Sequence, residues 1–204
     1  MSDKSDIRYP DENLVRLLKK NISGYEKNAP LTAIDLGCGS GRHLKLLNEL
    51  RIGRIIGLDS SFNALLLSTK RSNGFLVAGD NRHIPIKDGS ADFVIAWGSL
   101  HYNRKETLPL MLGEIVRVLV PDGHLFATLR TSRDTYLKTG KHLGNNTWAT
   151  NLNDINGTIV SFYSEDELTR AFSAFGKFEF GLMERTLVGD TRAMISHWVV
   201  HAIK

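Results

Sequence analysis

The sequence predicts an α/β protein with a doubly wound sheet and helices on both of its faces. Short apolar stretches that resemble strands alternate with helix-periodic stretches from residue 32 to residue 129. One predicted strand, residues 93–96, is apolar throughout, as is typical of a parallel strand buried on both faces. Glycines or acidic residues end or follow the first three strands, at the sheet edge where doubly wound folds bind their ligands.

Length and composition are those of a single domain over residues 1–204. The formal charge of +4 permits an acidic partner without requiring one, and the single cysteine, Cys38, excludes an internal disulfide. The first six residues are too polar for a signal peptide, and no apolar run approaches the ~20 residues of a membrane span. We therefore expect a cytoplasmic protein with no membrane partner and no metal site; the oligomeric state stays open.

Residues 1–30 are predicted to form an N-terminal helical cover. Proline and two acids at 10–12 suit a first helical turn. An apolar stripe follows at helical spacing, made of Leu14, Leu17, Leu18 and Ile22. We expect this helix to pack on the sheet.

Residues 33–42, Ala-Ile-Asp-Leu-Gly-Cys-Gly-Ser-Gly-Arg, are the stretch around which the chain is organised. They predict a buried strand that leads into a glycine-rich turn and then a helix. Glycine loses more backbone entropy on folding than other residues, so three glycines in five positions are costly in a plain connection. Such a turn usually provides positive φ or lets the backbone approach a ligand, and we interpret it as a small-molecule cofactor site. The alternative is a turn that only packs the helix on the strand.

Acidic residues mark the ends of the second and third predicted strands. Residues 54–59 end in Asp59, where a carboxylate can accept hydrogen bonds from both hydroxyls of a ribose. The alternative is a cap or turn residue. Residues 74–79 are followed at once by Asp80 and Asn81.

Three motifs resemble those of the class I S-adenosylmethionine-dependent methyltransferases. The first is Asp-x-Gly-x-Gly-x-Gly at residues 35–41; a dinucleotide fingerprint, G-x-G-x-x-G, would need a glycine in place of Arg42. The second is the loop at 80–92, which is similar to D-x-x-x-L-P-[FI]-x-D-x-S-F-D. The third is Glu-Ile-x-Arg-Val-Leu-x-Pro-x-Gly at 114–123, in which Asp122 replaces the usual first glycine.

The resemblance implies a Rossmann-like, seven-stranded mixed sheet whose last strand is antiparallel, with residues 32–129 as the cofactor-binding core. It implies S-adenosylmethionine as cofactor and S-adenosylhomocysteine as product. The positions that match the family's cofactor-binding residues are Asp35, Gly37, Cys38, Gly39, Gly41, Asp59, Ser60, Asp80, Asn81 and Trp97. In the family the Asp59 position binds ribose, the Asp80 position accepts from the adenine amino group, and the backbone at Trp97 meets the methionine portion. Cys38 is expected to pack rather than to act as a nucleophile.

His101 and Tyr102 follow the fourth predicted strand and are our candidate catalytic residues. They are similar to the histidine that small-molecule methyltransferases often carry there. Methyl transfer from a sulfonium has a good neutral leaving group, so alignment supplies most of the rate and a base is needed only when the acceptor must lose a proton. His101, with an ordinary pKa of ~6.5, is either that base or a hydrogen-bonded wall of the site.

Residues 130–163 are polar, glycine-rich and weakly periodic, and we predict an acceptor-side loop or lid. A structureless loop of this length in a compact domain is usually a lid or binding loop. The alternative is a solvated, partly disordered excursion. The side chains expected to bind an anionic or aromatic acceptor are Arg130, Arg133, Tyr136 and Trp148, with Lys141 and His142 as further candidates.

Residues 164–204 are predicted to close the domain with a helix and a β-hairpin. Ser164 and Glu167 have the spacing of a capping box. Residues 178–186 and 194–202 alternate as two strands.

The predicted function is methyl transfer from S-adenosylmethionine to a small-molecule acceptor, and two alternatives stay open. An RNA- or tRNA-modifying methyltransferase would share this core and use the basic surface, so a nucleic-acid partner is not favoured but stays open; no charged cluster supports it. The other alternative is a non-catalytic platform that binds the cofactor, against which the intact motif glycines and acids argue.

Overall fold

The computed structural model describes residues 9–25 and 29–204. The strands are β1 (Thr32–Leu36), β2 (Arg54–Asp59), β3 (Phe75–Ala78), β4 (Ala91–Ala96), β5 (Leu119–Thr131), β6 (Lys141–His142), β7 (Thr147–Ala149), β8 (Ile159–Tyr163), β9 (Lys177–Leu187) and β10 (Asp190–Ile203). The helices are α1 (Glu12–Ser23), α2 (Arg42–Glu49), α3 (Phe62–Ser68), α4 (Leu108–Val118) and α5 (Glu165–Phe172). Lys105–Thr107 and Asn153–Ile155 form 3₁₀ turns.

Seven strands form the main sheet in the order β3-β2-β1-β4-β5-β10-β9. Strands β1 to β5 run parallel to one another, and β10 is antiparallel to both β5 and β9. The predicted mixed sheet with an antiparallel last strand is confirmed, but the strand count differs from the predicted seven, because β8, β7 and β6 extend the sheet from β5 to ten strands. The strand order reverses between β1 and β4, and ligands of doubly wound folds bind beside such a reversal, at the carboxyl ends of the strands.

Alternate residues of the central strands face two separate layers of the core, as the pleat of a strand requires. In β1, Ile34 packs in the layer that contains α4 and α5, whereas Ala33 packs in the layer that contains α1, α2 and α3. In β4, Val94 and Phe93 repeat this alternation. All four side chains are fully buried. The apolar runs of these strands therefore reflect helices on both faces of the sheet.

Helix ends agree with local signals in the sequence. Asp11 caps α1 by accepting a backbone N–H, and Ser164 and Glu167 form the predicted capping box at the start of α5. Pro109 lies in the first turn of α4, where its missing N–H would have no intrahelical partner. Polar caps and the proline therefore define where these three helices begin.

Residues 130–163 carry regular structure, which corrects the expectation of an irregular loop. Strands β6 and β7 form a small antiparallel hairpin, and β7 pairs with β8. β8 runs parallel to the end of β5, opposite Arg130 and Thr131. Strands of two to five residues are too short to show a period in the sequence, which is why the pattern did not predict them.

The 130–163 segment lies against the chain that leaves β4. The Ser161 N–H donates to the His101 carbonyl at 2.9 Å, and Ser161 Oγ donates to the Asn103 carbonyl at 2.7 Å. The segment also has a small apolar cluster of its own, centred on the buried Leu137 and Phe162. It thus holds the backbone around His101 in place, at the edge where the candidate site lies.

Helix α1 packs its buried Leu14 and Leu18 against the core layer of α2 and α3, as predicted. The remainder of the predicted N-terminal cover includes residues 1–8 and 26–28, which lie outside the described residues. Among the helices of the described chain, none is both long and apolar enough to cross a membrane.

Candidate cofactor and acceptor site

The glycine turn after β1 uses its glycines for two different purposes. Gly37, Gly39 and Gly41 have positive φ, at 71°, 54° and 86°, a region that residues with a Cβ disfavour. A Cβ on Gly37 would lie 2.6 Å from Ser99 Cβ, and one on Gly41 would lie 2.9 Å from Ser68 Cβ. A Cβ on Gly39 would meet no atom of the described residues within 4 Å. Tight packing therefore explains two of the glycines, whereas Gly39 borders open space that a ligand can occupy.

Asp59, at the end of β2, binds the glycine turn directly. Its Oδ2 accepts from the Gly39 N–H and its Oδ1 from the Ser61 N–H, both at 2.8 Å. A carboxylate has about four lone-pair positions, so the Asp59 oxygens retain capacity for ligand hydroxyls. Ser61 caps α3. Ser60, between Asp59 and Ser61 in the chain, lines the same cavity as Asp59.

Asp80 is paired with Arg82, which sequence spacing did not indicate. The Arg82 Nε lies 2.9 Å from each carboxylate oxygen, and the Arg82 backbone N–H donates to Oδ1 at 2.8 Å. These hydrogen bonds from the Arg82 side chain lower the pKa of the Asp80 carboxyl. The Asp80 carboxylate, which was predicted to accept from an adenine amino group, is therefore already paired with the Arg82 guanidinium. Its availability to a ligand depends on movement of the Arg82 side chain.

Five of the predicted cofactor-binding residues meet in one cavity of about 260 Å³, here called the cofactor cavity. These five come from the ends of β1, β2 and β3, and the turn after β4 closes the opposite wall. The full lining is Gly37, Asp59, Ser60, Gly79, Asp80, Asn81, Gly98, Ser99, Tyr102 and Asn103. The cavity thus lies at the carboxyl edge of the sheet, beside the reversal of strand order.

Asp35 and Cys38 lie beneath the turn and outside the lining of the cofactor cavity. Asp35 is fully buried, its Oδ1 is 3.4 Å from His43 Nδ1, and its Oδ2 has no hydrogen-bond partner among the described residues. Burial raises the pKa of the Cys38 thiol, so the thiol stays protonated and packs in the core layer of α2. Gly41 likewise lies outside the lining. It has a left-handed backbone conformation and directly precedes the first residue of α2. The structure therefore places these three predicted residues in support of the turn.

A second cavity of about 360 Å³ adjoins the first, and we call it the arginine-lined cavity. It shares Gly98 and Tyr102 with the cofactor cavity. Its lining consists of Asp11, Arg42, Trp97, Gly98, His101, Tyr102, Thr128, Arg130, Met183, Arg185, Ile195 and His197. The predicted residues Trp97, His101, Tyr102 and Arg130 thus meet here. A more open groove of about 550 Å³ lies between α1 and β9, away from the glycine turn and the strand ends.

His101 is buried and neutral. Its side chain is 1% exposed, Nδ1 lies 3.4 Å from the Thr128 carbonyl oxygen, and Nε2 has no hydrogen-bond partner among the described residues. Burial, together with the charge of Arg130 and the neighbouring His197, holds the pKa of His101 well below its usual value. The Tyr102 ring packs on it with centroids 4.4 Å apart. His101 can therefore accept a hydrogen bond at neutral pH but is a weak base.

Arg130 is held by a buried ion pair. Its Nη1 lies 2.6 Å from Asp134 Oδ2, and the side chains of Arg130 and Asp134 are 9% and 0% exposed. Asp134 also accepts from the Leu137 N–H at 3.0 Å and from the Ser196 N–H at 2.9 Å. These contacts position Arg130, a predicted acceptor-binding residue, in the wall of the arginine-lined cavity.

Arg133, Tyr136 and Trp148, also predicted to bind the acceptor, lie outside the lining of both cavities. Arg133 is exposed and pairs with Glu184 at 3.1 Å. Tyr136 and Trp148 pack around the apolar cluster of the 130–163 segment. The polar composition of the segment suggested a binding loop, but its aromatic side chains instead stabilise the fold of the segment itself.

Arg42, Arg185 and His197 are lining residues that the sequence interpretation did not assign to the site. Arg185 and His197 belong to the closing hairpin, whose strand alternation is readable in the sequence. The face of the hairpin that meets the site depends on the pairing of β10 with β5, which the pattern of either strand alone does not contain. Arg42 was visible only as the residue that breaks the dinucleotide fingerprint.

Lowering the pH from 7 to 5.5 is expected to lower the free energy of unfolding. The variant His197→Gln is expected to show a smaller decrease. Burial and the charges of Arg130 and Arg185 lower the pKa of His197 to about 3, whereas an unfolded histidine titrates near ~6.5. Between these values the unfolded chain binds a proton that the folded chain does not. Stability therefore falls as the pH falls, by at most about 1.4 kcal/mol per pH unit for one group.

Urea unfolding of the wild type and of His197→Gln at the two pH values measures the difference. His142→Gln, at an exposed position on β6, controls for the loss of a histidine as such. Equal pH dependence in the wild type and His197→Gln would contradict the assignment.

Comparison with known proteins supports a methyltransferase domain with this fold. A family model described as a methyltransferase domain matches residues 34–127. Over 116 residues the chain is 33% identical to the mitochondrial arginine-hydroxylase NDUFAF5 of Homo sapiens, covering 56% of this chain and 33% of that protein. Over 93 residues it is 33% identical to the probable tRNA methyltransferase 9B of Bos taurus, covering 45% of this chain and 19% of that protein. Over 110 residues it is 34% identical to the malonyl-[acyl-carrier protein] O-methyltransferase of Legionella pneumophila, covering 51% of this chain and 38% of that protein.

The chain spans only 19% to 38% of the length of these three curated relatives. Among solved structures, a SAM-dependent methyltransferase from Methanosarcina mazei is similar with a TM-score of 0.69 and 18% identity, covering 90% of this chain and 96% of that chain. At this identity the similarity shows the fold. The named relatives differ in the reaction that their names state, so the acceptor has to be argued from the residues of the site.

Proposed function

Since the chain belongs to the class I S-adenosylmethionine-dependent methyltransferases, we propose that it transfers a methyl group from S-adenosylmethionine to a small-molecule acceptor. The observation that carries this proposal is the junction of two cavities at Gly98 and Tyr102. One cavity has the acids and open glycine backbone suited to a nucleoside. The other is lined by two histidines and three arginines, of which His101 and Arg130 are buried, and these side chains suit a polar acceptor. A group transferred from one to the other would pass this junction.

The residues of the cofactor cavity fit S-adenosylmethionine. In the lining of the cavity, the Asp59 carboxylate retains acceptor capacity toward ribose hydroxyls. Gly39 is not part of this lining, but it is hydrogen-bonded to Asp59 and borders open space. When bound, S-adenosylmethionine supplies a methyl group on a sulfonium, whose leaving group is neutral and needs no proton. The Ser61 and Gly39 N–H groups keep the Asp59 side chain oriented, so the site needs little reorganisation on binding.

The arginine-lined cavity supplies alignment more than acid–base chemistry. His101 is neutral and buried, with its backbone carbonyl bonded to β8 and its ring packed on Tyr102. A rigid wall beside the junction limits the poses of an acceptor, and positioning of this kind supplies much of the rate in a displacement reaction. His101 can take a proton from the methyl acceptor only where that proton is already acidic, because burial disfavours the protonated form of His101.

The size of the arginine-lined cavity supports a small acceptor over RNA. Its volume of about 360 Å³ falls within the roughly 300–1,000 Å³ typical of small-molecule sites. The similarity to a tRNA methyltransferase keeps RNA as the alternative, in which a base would have to leave its stack to reach the junction.

Two measurements test the proposal. Calorimetry with S-adenosylhomocysteine measures cofactor binding, and transfer from methyl-labelled S-adenosylmethionine to a metabolite panel, with total tRNA as a parallel substrate, measures activity. We expect binding, and label in the metabolite arm. Label confined to tRNA, with binding that weakens steeply in salt, would replace the small-molecule assignment by the RNA one. Binding without label in either arm would leave a non-catalytic platform.

His101→Ala is expected to lower kcat by about 10- to 100-fold, because a misplaced acceptor costs roughly that much, and to leave S-adenosylhomocysteine affinity within twofold. Wild-type kcat should show no fall between pH 7.5 and 6 from protonation of His101, since burial holds the pKa of His101 well below its usual value. Both are measured on the acceptor found in the metabolite panel. A tenfold loss of cofactor affinity would instead make His101 part of the cofactor wall.

A further inference from the structure

The arginine-lined cavity carries positive charge that nearby acids balance only in part. Arg42, Arg130 and Arg185 line it together with a single acid, Asp11. Arg130 is neutralised by its ion pair with Asp134. Within residues 9–25 and 29–204, no ion pair is formed by Arg42 or Arg185. These two guanidinium groups are therefore available to a ligand.

Three neighbouring strands present their polar residues to this cavity on one face. In the pairing of β5, β10 and β9, His197 lies opposite Arg130 on one side and Met183 on the other. Ile195, two residues before His197, lies opposite Arg185. Residues two apart on a strand share a face, and diagonal neighbours across strands are within reach of long side chains. Arg130, His197 and Arg185 thus form one polar patch next to the junction of the cavities.

The two histidines of the cavity contribute hydrogen bonds but no charge. Burial and the nearby arginines lower the pKa of both His101 and His197, so both rings are neutral at pH 7. His197 Nδ1 and His101 Nε2 have no hydrogen-bond partner among the described residues. Neutral rings beside free guanidinium groups suit an anion with several acceptor lone pairs.

We propose that the acceptor carries a carboxylate, which Arg185 binds in the arginine-lined cavity with His197 beside it and Arg42 contributing charge from the start of α2. The guanidinium fork matches the two oxygens of a carboxylate. Three arginines against Asp11 and Asp134 leave one net positive charge, and the buried Asp35 beside Arg42 lowers the potential further. A single negative charge fits this balance better than a doubly charged phosphate. The inference rests on the proposed methyltransferase function and specifies its substrate class.

The test uses the full-length protein and methyl-labelled S-adenosylmethionine with a panel of small carboxylic acids, each paired with its primary amide and with a phosphate monoester of similar size. We expect label in the acids at a rate at least tenfold above that in the amides. For the best acid, Arg185→Met should raise KM at least tenfold and change kcat less than threefold. Arg185→Lys, which keeps the charge and loses the fork, should give an intermediate KM.

Arg192→Met is the matched control, because Arg192 lies on the same hairpin, is 95% exposed and is absent from the cavity lining. Its KM should equal that of the wild type. Amides labelled as fast as acids, phosphate esters preferred over acids, or an unchanged KM in Arg185→Met would each overturn the inference. In those cases S-adenosylhomocysteine binding and transfer remain, so the proposed function survives. A wild type that binds S-adenosylhomocysteine but labels nothing in this panel overturns the inference alone, whereas a wild type that does not bind S-adenosylhomocysteine overturns the proposed function and this inference with it.

Discussion

Asp134→Ala is expected to lower the free energy of unfolding by about 3–5 kcal/mol, the usual cost of removing one partner from a buried ion pair. Arg130 would be left 9% exposed with its guanidinium unpaired. The Leu137 and Ser196 N–H groups would also lose their acceptor. These groups join the end of β5, the 130–163 segment and β10, so three elements lose a shared contact at once.

Urea unfolding followed by circular dichroism measures this change, with the midpoint and the slope fitted separately. The matched control is Asp190→Ala, whose ion pair with Arg192 is exposed at 3.7 Å. Exposed pairs contribute about 0–1 kcal/mol, so this variant should unfold close to the wild type. The double variant Arg130→Met/Asp134→Leu should be more stable than Asp134→Ala, because it leaves no buried charge unpaired. A single variant within 1 kcal/mol of the wild type would show that Arg130 finds another partner or reaches water.

Asp59→Ala is expected to weaken S-adenosylhomocysteine binding by about 1.5–3 kcal/mol, the value of hydrogen bonds to a charged group. This corresponds to a rise in Kd of roughly 10- to 150-fold. The loss has two sources. The variant removes the carboxylate proposed to accept from the ribose, and it removes the acceptor that holds the Gly39 N–H and keeps the glycine turn closed against β2.

Calorimetry on the wild type, Asp59→Ala and Asp59→Asn separates these sources. Asparagine keeps one oxygen acceptor and loses the charge, so its Kd should fall between the other two. Thermal unfolding of the unliganded proteins checks that the variants remain folded. An unchanged Kd in Asp59→Ala would remove this residue from the cofactor site and leave the glycine turn as a packing device.

The cofactor side of the site was predictable because its parts are local in the sequence. Gly37 directly follows β1, Asp59 ends β2, and Asp80 and Asn81 come soon after β3. A strand pattern therefore places each of them at the carboxyl edge of the sheet, and parallel strands bring those ends together. The pairing of Asp80 with Arg82 went unnoticed, because a hydrogen bond between exposed side chains leaves no periodic signal. The lining residues Ser99 and Asn103, in the chain after β4, were not predicted either.

The acceptor side was predicted poorly because its residues come from distant parts of the chain. Of the four side chains predicted to bind the acceptor, Arg130 lines the arginine-lined cavity, whereas Arg133, Tyr136 and Trp148 lie outside it. The 130–163 segment, whose composition suggested a lid, instead adds β8 to the end of β5 and uses its aromatic residues for its own packing. Composition does not state which face of a short strand is buried.

By itself the sequence determined the doubly wound sheet, the helix caps and the glycine turn, since each follows from apolar periodicity, capping residues or motifs within a few neighbouring positions. The antiparallel last strand was implied by the resemblance to the methyltransferase family. The tertiary structure alone decided which side chains share the arginine-lined cavity. Arg42, Arg130, Arg185 and His197 are brought together by the pairing of β10 with β5 and β9 and by the position of α2 beside them. Strand register selects the face that each residue presents, and register depends on contacts between segments far apart in the chain.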